Sequence, residues 1–129
     1  MNLRRIRSGI RGAWLFLTMR TVDVAATSPT LATDPTLNAL LDTKPRYFGG
    51  KGPLRARMIV GWGYKASGQK VMKFKHQAED YGILEDGFLR SVGRRDDAFS
   101  IVFDRDGIYY DARSDSRLFA LIRKPLSEQ

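Results

Sequence analysis

The 129 residues contain no cysteine and a single histidine, His76. A disulfide framework and a thiolate metal site are therefore excluded, and a zinc site would need an unusual carboxylate set. No metal and no cofactor is expected. Acid is missing from the whole amino-terminal segment: Asp23 is the first carboxylate, and Arg4, Arg5, Arg7, Arg11 and Arg20 precede it. Long apolar runs are missing too. The stretch Ala13–Leu17 falls far short of the ~20 residues that span a bilayer. It is also short for a signal-peptide core, and no small-residue cleavage motif follows closely. Proline is scarce outside one stretch, with Pro29, Pro35, Pro45 and Pro53 all lying between residues 21 and 56.

What is present is ordinary globular composition, 43% hydrophobic and 28% charged, enough for one domain or part of a larger one. A net charge of +8 suggests an anionic partner: nucleic acid, anionic lipid or a phosphate-bearing substrate. The five arginines of residues 1–20 account for most of that excess, so the remainder is only mildly basic. Aromatic and basic residues are not interleaved as RNA-binding sheets require, which argues against nucleic acid. Leu3, Ile6, Ile10, Ala13, Trp14 and Leu17 form one stripe on a helix, with four of the arginines off it. Such a helix packs on its own domain or frays, meets an anionic membrane through residues 3–17, or serves as a targeting signal.

The sequence divides into a basic amphipathic helix at 1–20, a Pro-rich irregular connection at 21–56 and an α/β domain from 57 to 129. Within the connection, Asp34 and Pro35 are the N-cap and first residue of a short helix reaching Leu41. The run Gly49-Gly50-Lys51-Gly52 lacks Walker spacing and reads as a flexible turn. Met58–Trp62 predicts a buried strand, and Gln69–Tyr81 a helix capped by Ser67 or Gly68 and stopped by Gly82. Ile83–Glu85 predicts a second strand. Strand, helix, strand is a βαβ unit, which implies a parallel sheet. Phe99–Phe103 and Ile108–Tyr110 flank an Asp-Gly turn and predict a hairpin. Ser114 or Asp115 caps a last helix through Ile122, ended by Pro125.

Ligands of open α/β sheets bind outside the carboxyl ends of the strands. Glu85 and Asp86 fall at such an end, Gly87 permits a sharp turn, and Arg90 is near enough to meet an anionic substrate. A carboxylate here acts as general acid or base if its surroundings tune it, or it pairs with Arg90 and holds the turn. Gly61-Trp62-Gly63 ends the first strand, where bare backbone permits close approach of a ligand. It is not a dinucleotide fingerprint, because the next glycine is Gly68. His76 sits among lysines on a predicted helix, as an exposed side chain. Asp104, Asp106 and Asp111 resemble a calcium loop in composition only.

Three strings carry a family resemblance: Ile59-Val60-Gly61-Trp62-Gly63, then Leu84-Glu85-Asp86-Gly87-Phe88-Leu89-Arg90-Ser91-Val92-Gly93, then Phe99 through Asp111 with its Gly-Ile-Tyr-Tyr-Asp ending. In order and spacing they resemble the opening of the capsule polysaccharide biosynthesis and export family of β-Kdo transferases. The resemblance implies part of the amino-terminal half of a GT-B glycosyltransferase: a Rossmann-like βαβ unit plus a β-hairpin. It implies a cytoplasmic, bacterial enzyme, peripheral on the inner membrane, moving Kdo from CMP-Kdo onto a lipid-linked acceptor to build the capsule linker. Glu85 carries over as candidate acid/base with Asp86 beside it, and Gly61, Trp62, Gly63, Gly87 and Arg90 as substrate-binding positions. Members of the family are retaining enzymes with an aspartate nucleophile, a His-Pro motif and a nucleotide-binding half further downstream. None of these occurs before Gln129, so an incomplete domain without independent turnover is expected, truncated, split or degenerate. The alternative is a non-catalytic relic or partner protein binding an anionic glycolipid, another capsule protein or a polyanion, with self-association or a second-half partner at an open sheet edge.

Overall fold

The computed structural model describes residues 20–87, 100–108 and 115–125. Strand β1 (Val22–Ala26) leads through Ser28, whose hydroxyl accepts from the Leu31 amide, into the single turn α1 (Pro29–Ala32). Helix α2 (Pro35–Leu41) begins as its sequence dictates. The Asp34 carboxylate accepts from the Leu37 amide at 2.7 Å and Pro35 occupies the first turn, where its missing N–H costs nothing. Then follow β2 (Arg46–Tyr47), β3 (Ala56–Trp62), α3 (Ala66–Phe74), a 3₁₀ turn (Lys75–Gln77), β4 (Ala78–Asp86), β5 (Ile101–Asp104) and α4 (Arg117–Ile122).

The strands form one sheet in the order β2-β1-β3-β4-β5. All neighbours are parallel except β4 and β5, which run antiparallel with Leu84 opposite Phe103 and Asp86 opposite Ile101. The β3-α3-β4 crossover is the βαβ unit, and the Rossmann-like α/β reading holds. Alternation along the strands divides the core in two. Ala25, Ile59 and Ile83 pack against Val71 of α3, while Val24, Ala26, Val60 and Leu84 pack against Leu31 of α1 and Leu37 of α2. Helices on both faces explain why β3 reads as a continuous apolar run rather than an alternating one.

Three expectations change. The stretch 21–56 is not merely an irregular connection: β1 lies inside the sheet, paired with β3 from Val22↔Ala56 to Ala26↔Val60. Helix α3 ends at Phe74 rather than Tyr81. Ala78 and Tyr81 fit a helical stripe, but they continue into β4 and pair along β3 from Ala56↔Ala78 to Trp62↔Leu84, still packing on the same core. Gly82 is therefore not a helix stop. It lies mid-strand, and a Cβ there would come within 2.0 Å of the Phe103 ring. The turn after β5 is held by one side chain. The Asp104 carboxylate accepts from the amides of Asp106 (2.8 Å), Gly107 (3.2 Å) and Arg117 (2.8 Å). Ile108 is buried just beyond this turn, and Tyr109 and Tyr110, the rest of the expected second strand, lie outside the described residues. Lastly, α4 is capped by Ser116, not by its neighbours Ser114 or Asp115. The amphipathic stripe of residues 1–19, Arg90, the Arg94-Arg95 turn, the Tyr109-Tyr110 pair and Ser114 lie outside the described residues.

Among the described residues, no helix is long and apolar enough to cross a membrane, and no group of three His, Asp or Glu side chains could hold a metal ion.

Candidate functional site

Parallel β1, β3 and β4 end side by side, and outside their carboxyl ends, on the α3 side, lies the crevice position at which open α/β sheets take ligands. β1 delivers Thr27, β3 delivers Gly61 and Gly63, and β4 delivers Glu85. Glu85 is 8% exposed, a carboxylate drawn almost wholly out of water at a strand mouth. It follows Ile83 on the α3 face. Beside it Gly63 adopts φ +58° and donates its amide to the Leu84 carbonyl at 3.0 Å. A Cβ on residue 63 would stand 2.7 Å from Glu85 Oε1. The glycine is needed twice, for its left-handed backbone and for the space the carboxylate occupies.

Gly61 has a different reason. Its Cβ would meet Thr27 Oγ1 and Val71 Cγ2 at 2.6 Å and the Ser67 carbonyl at 2.7 Å. The first turn of α3 thus lies directly on the end of β3. Gly68 repeats the device, since a Cβ there would meet the Gly63 carbonyl at 1.6 Å. Across this contact runs a short polar network. Thr27 Oγ1 and Ser67 Oγ are 2.7 Å apart, and Ser67 Oγ accepts from the Trp62 amide at 2.9 Å. With that geometry the serine donates to the threonine, whose own proton goes to the carbonyl of Val60 (3.1 Å) or Ser67 (2.9 Å). Thr27 is 1% exposed, so this bonding is what makes a buried hydroxyl tolerable.

The residues singled out from sequence separate into two groups. Glu85, Gly61 and Gly63 meet at the crevice. Trp62 and Asp86, one residue out of phase, face the α1/α2 side: Trp62 packs on the cluster containing Leu37 and Leu84. Gly87 extends the pairing of β4 with β5, donating its amide to the Ser100 carbonyl at 2.9 Å, and a Cβ would strike Ser100 Oγ at 2.0 Å. Its bareness serves that packing. Sequence reasoning missed Thr27 and Lys70, whose ammonium donates to the Thr27 carbonyl at 3.3 Å, and took Ser67 or Gly68 for the cap of α3, whereas Lys65 is the N-cap and both lie inside the helix. The signal was a five-residue run, Val22–Ala26, closed by Thr-Ser-Pro: a strand followed by a capped turn.

On the opposite face a cavity of about 250 Å³ is lined by Leu37, Met58, Leu84, Phe103 and similar neighbours. It offers nothing to orient a polar ligand, so the crevice at Glu85 remains the candidate site.

A mostly parallel sheet with helices on both sides defines a Rossmann-like α/β domain, and the buried carboxylate at its carboxyl edge is its candidate site. Among solved structures, it is similar to KpsC of Thermosulfurimonas dismutans, a beta Kdo 2,4 transferase, at 37% identity and TM-score 0.59 over 80% of this chain. Capsule polysaccharide modification protein LipA of Neisseria meningitidis serogroup A is 43% identical over 68% of the chain, and that of serogroup B 41% over the same share. The chain spans 13% of the length of these LipA relatives and 33% of the KpsC chain. The family of capsule polysaccharide biosynthesis proteins matches residues 57–129. The chain belongs to that family.

Proposed function

We propose that this chain carries the acid/base side of a Kdo-transferring site, acting in synthesis of the lipid-linked Kdo linker of a capsule polysaccharide. The observation that carries the reading is Glu85, buried at the mouth of the sheet and seated against the bare α-carbon of Gly63. As an acceptor hydroxyl attacks the anomeric carbon of the sugar, a new C–O bond forms, the bond from that carbon to the leaving-group oxygen breaks and its electron pair departs with that oxygen, while the proton lost by the hydroxyl passes to Glu85 as general base. The likeness to a Kdo transferase supports CMP-Kdo as donor and a lipid-linked sugar as acceptor, within a GT-B architecture completed by further residues. Asp86 and Trp62 act from the other face, on the position of β4 and β3 rather than on the sugar. Arg90 follows closely enough in sequence to meet an anionic substrate. Placement at the cytoplasmic surface of an anionic membrane through residues 3–17 completes the reading.

The test is transfer of Kdo from CMP-Kdo when this chain replaces the matching segment of a full-length relative. Glu85→Gln should lower kcat by about 10²-fold or more with little change in KM, the scale of a lost general base. A kcat within about threefold of the parent hybrid would favour the non-catalytic partner reading instead.

A further inference from the structure

Lys70 lies one helical turn after Ser67, so both project from the same side of α3 toward the end of β1. Its stem is held in place. Gly50 has φ +80°, and a Cβ there would come within 3.3 Å of Lys70 Cδ and 3.5 Å of Cγ. Of the glycines in the Gly49–Gly52 run, Gly50 alone lies against the lysine stem. The ammonium arrives at the crevice with three donors. Among the described residues its acceptor is the neutral Thr27 carbonyl, at a long 3.3 Å, and no carboxylate pairs with it. The ion pairs among the described residues are Arg57–Asp23, Arg105–Asp80 and Arg123–Asp115. A half-buried, positioned cation with two donors to spare is suited to an anion that arrives from outside.

Resting on the reading of the crevice as a sugar-transfer site, we infer that Lys70 binds the anionic group of the sugar substrate, a carboxylate or a phosphate, at the β1 side of the crevice. Glu85 stands on the opposite side, two strands away. At the spacing of neighbouring strands, β1 and β4 are about 10 Å apart, so cation and carboxylate belong to opposite ends of the site. Thr27 and Ser67 fix the floor between them and hold α3, and therefore Lys70, against β1.

The experiment is an NMR titration of the 129-residue protein with free Kdo, with Kdo methyl ester and with inorganic phosphate, following the amides of Thr27, Gly50 and Gly63. Kdo should shift these amides in a saturable way. Lys70→Met should weaken Kdo binding by about tenfold or more, the scale of one charge-assisted hydrogen bond. Lys70→Arg should restore part of it. The methyl ester should bind the unaltered protein as weakly as Kdo binds the Met variant. If phosphate, but not Kdo, shifts the same amides in a Lys70-dependent way, the anion recognised is the phosphate of the sugar nucleotide. Equal binding of Kdo and its ester together with Lys70-independent phosphate shifts, Lys70→Met binding unchanged, or no shift with any probe would overturn the inference. The ester arm uses the unaltered protein, so it decides even if Lys70→Met fails to fold. Failure here leaves the Glu85-dependent transfer assay standing, whereas failure of that assay with Kdo still bound through Lys70 would leave a binding site without the proposed chemistry.

Discussion

Gly63→Ala is the sharpest perturbation of the crevice, because one added carbon meets two separate obstacles. The first is backbone: at φ +58° an L-residue costs about 1–2 kcal/mol relative to glycine. The second is the carboxylate. A Cβ 2.7 Å from Glu85 Oε1 is closer than real Cβ contacts come, so Glu85 must shift and loosen its own bonding. Disturbing the hydrogen bonding of a buried charged group adds about 1–3 kcal/mol, for a total near ~2–5 kcal/mol. Gly52→Ala separates the two effects. Gly52 has φ +80° with nothing within 4 Å of the added carbon, so it reports the backbone cost alone. Urea unfolding should place Gly63→Ala below Gly52→Ala by roughly 1–3 kcal/mol, a midpoint difference on the order of 1 M. In a Glu85→Ala background the excess should vanish, leaving the two alanines equally costly. If Gly63→Ala is no worse than Gly52→Ala, or the excess survives removal of Glu85, the carboxylate does not sit where this account places it.

Two further outcomes test the frame around the site. Asp104→Ala should destabilise the protein by about 3 kcal/mol in urea melts, since one buried carboxylate serves three amides and leaves them unpaired when removed; Asp104→Asn, which keeps one acceptor oxygen, should cost less. The Arg105 guanidinium grips Asp80 through two bonds, Nε to Oδ1 at 2.7 Å, and that hydrogen bonding holds the Asp80 carboxyl below its ordinary value of 3.8. A depressed carboxylate contributes stability above its unfolded pKa and loses it as pH falls through the folded value. Melting temperature should therefore drop below about pH 4, and Arg105→Met should flatten that acid limb.

The parts of this molecule legible in its sequence are those set by local chemistry. Asp34-Pro35 announces a helix start because the cap and the fixed proline φ act within one turn. Met58–Trp62 announces a buried strand because both of its faces are covered. Glu85 could be placed at a strand end from its position after Ile83-Leu84. What stayed hidden was decided by contacts distant in sequence. Ala78 and Tyr81 satisfy a helical period and a strand pattern equally, and only pairing with β3 chooses between them. β1 was hidden by its company: a five-residue run beside prolines and threonines gains its strand character from β3, some thirty residues on. Lys70 could not be told from its lysine neighbours, since what distinguishes it is Gly50 across the crevice. Phase was the remaining gap. Glu85 and Asp86 read as a pair along the chain, yet the pleat sends them to opposite compartments.

That opposition gives the aromatic ring on β5 an unexpected influence. Phe103 fits against β4 only where Gly82 leaves a vacancy, so the ring acts as a key that admits one alignment of the strand. Sliding β4 by a single residue would turn Glu85 away from the α3 side and present Asp86 or Leu84 in its stead. A ring on the opposite face of the sheet thereby helps to fix which acidic side chain lies on the α3 side, and a substitution at position 103 would reach Glu85 through the alignment of its strand.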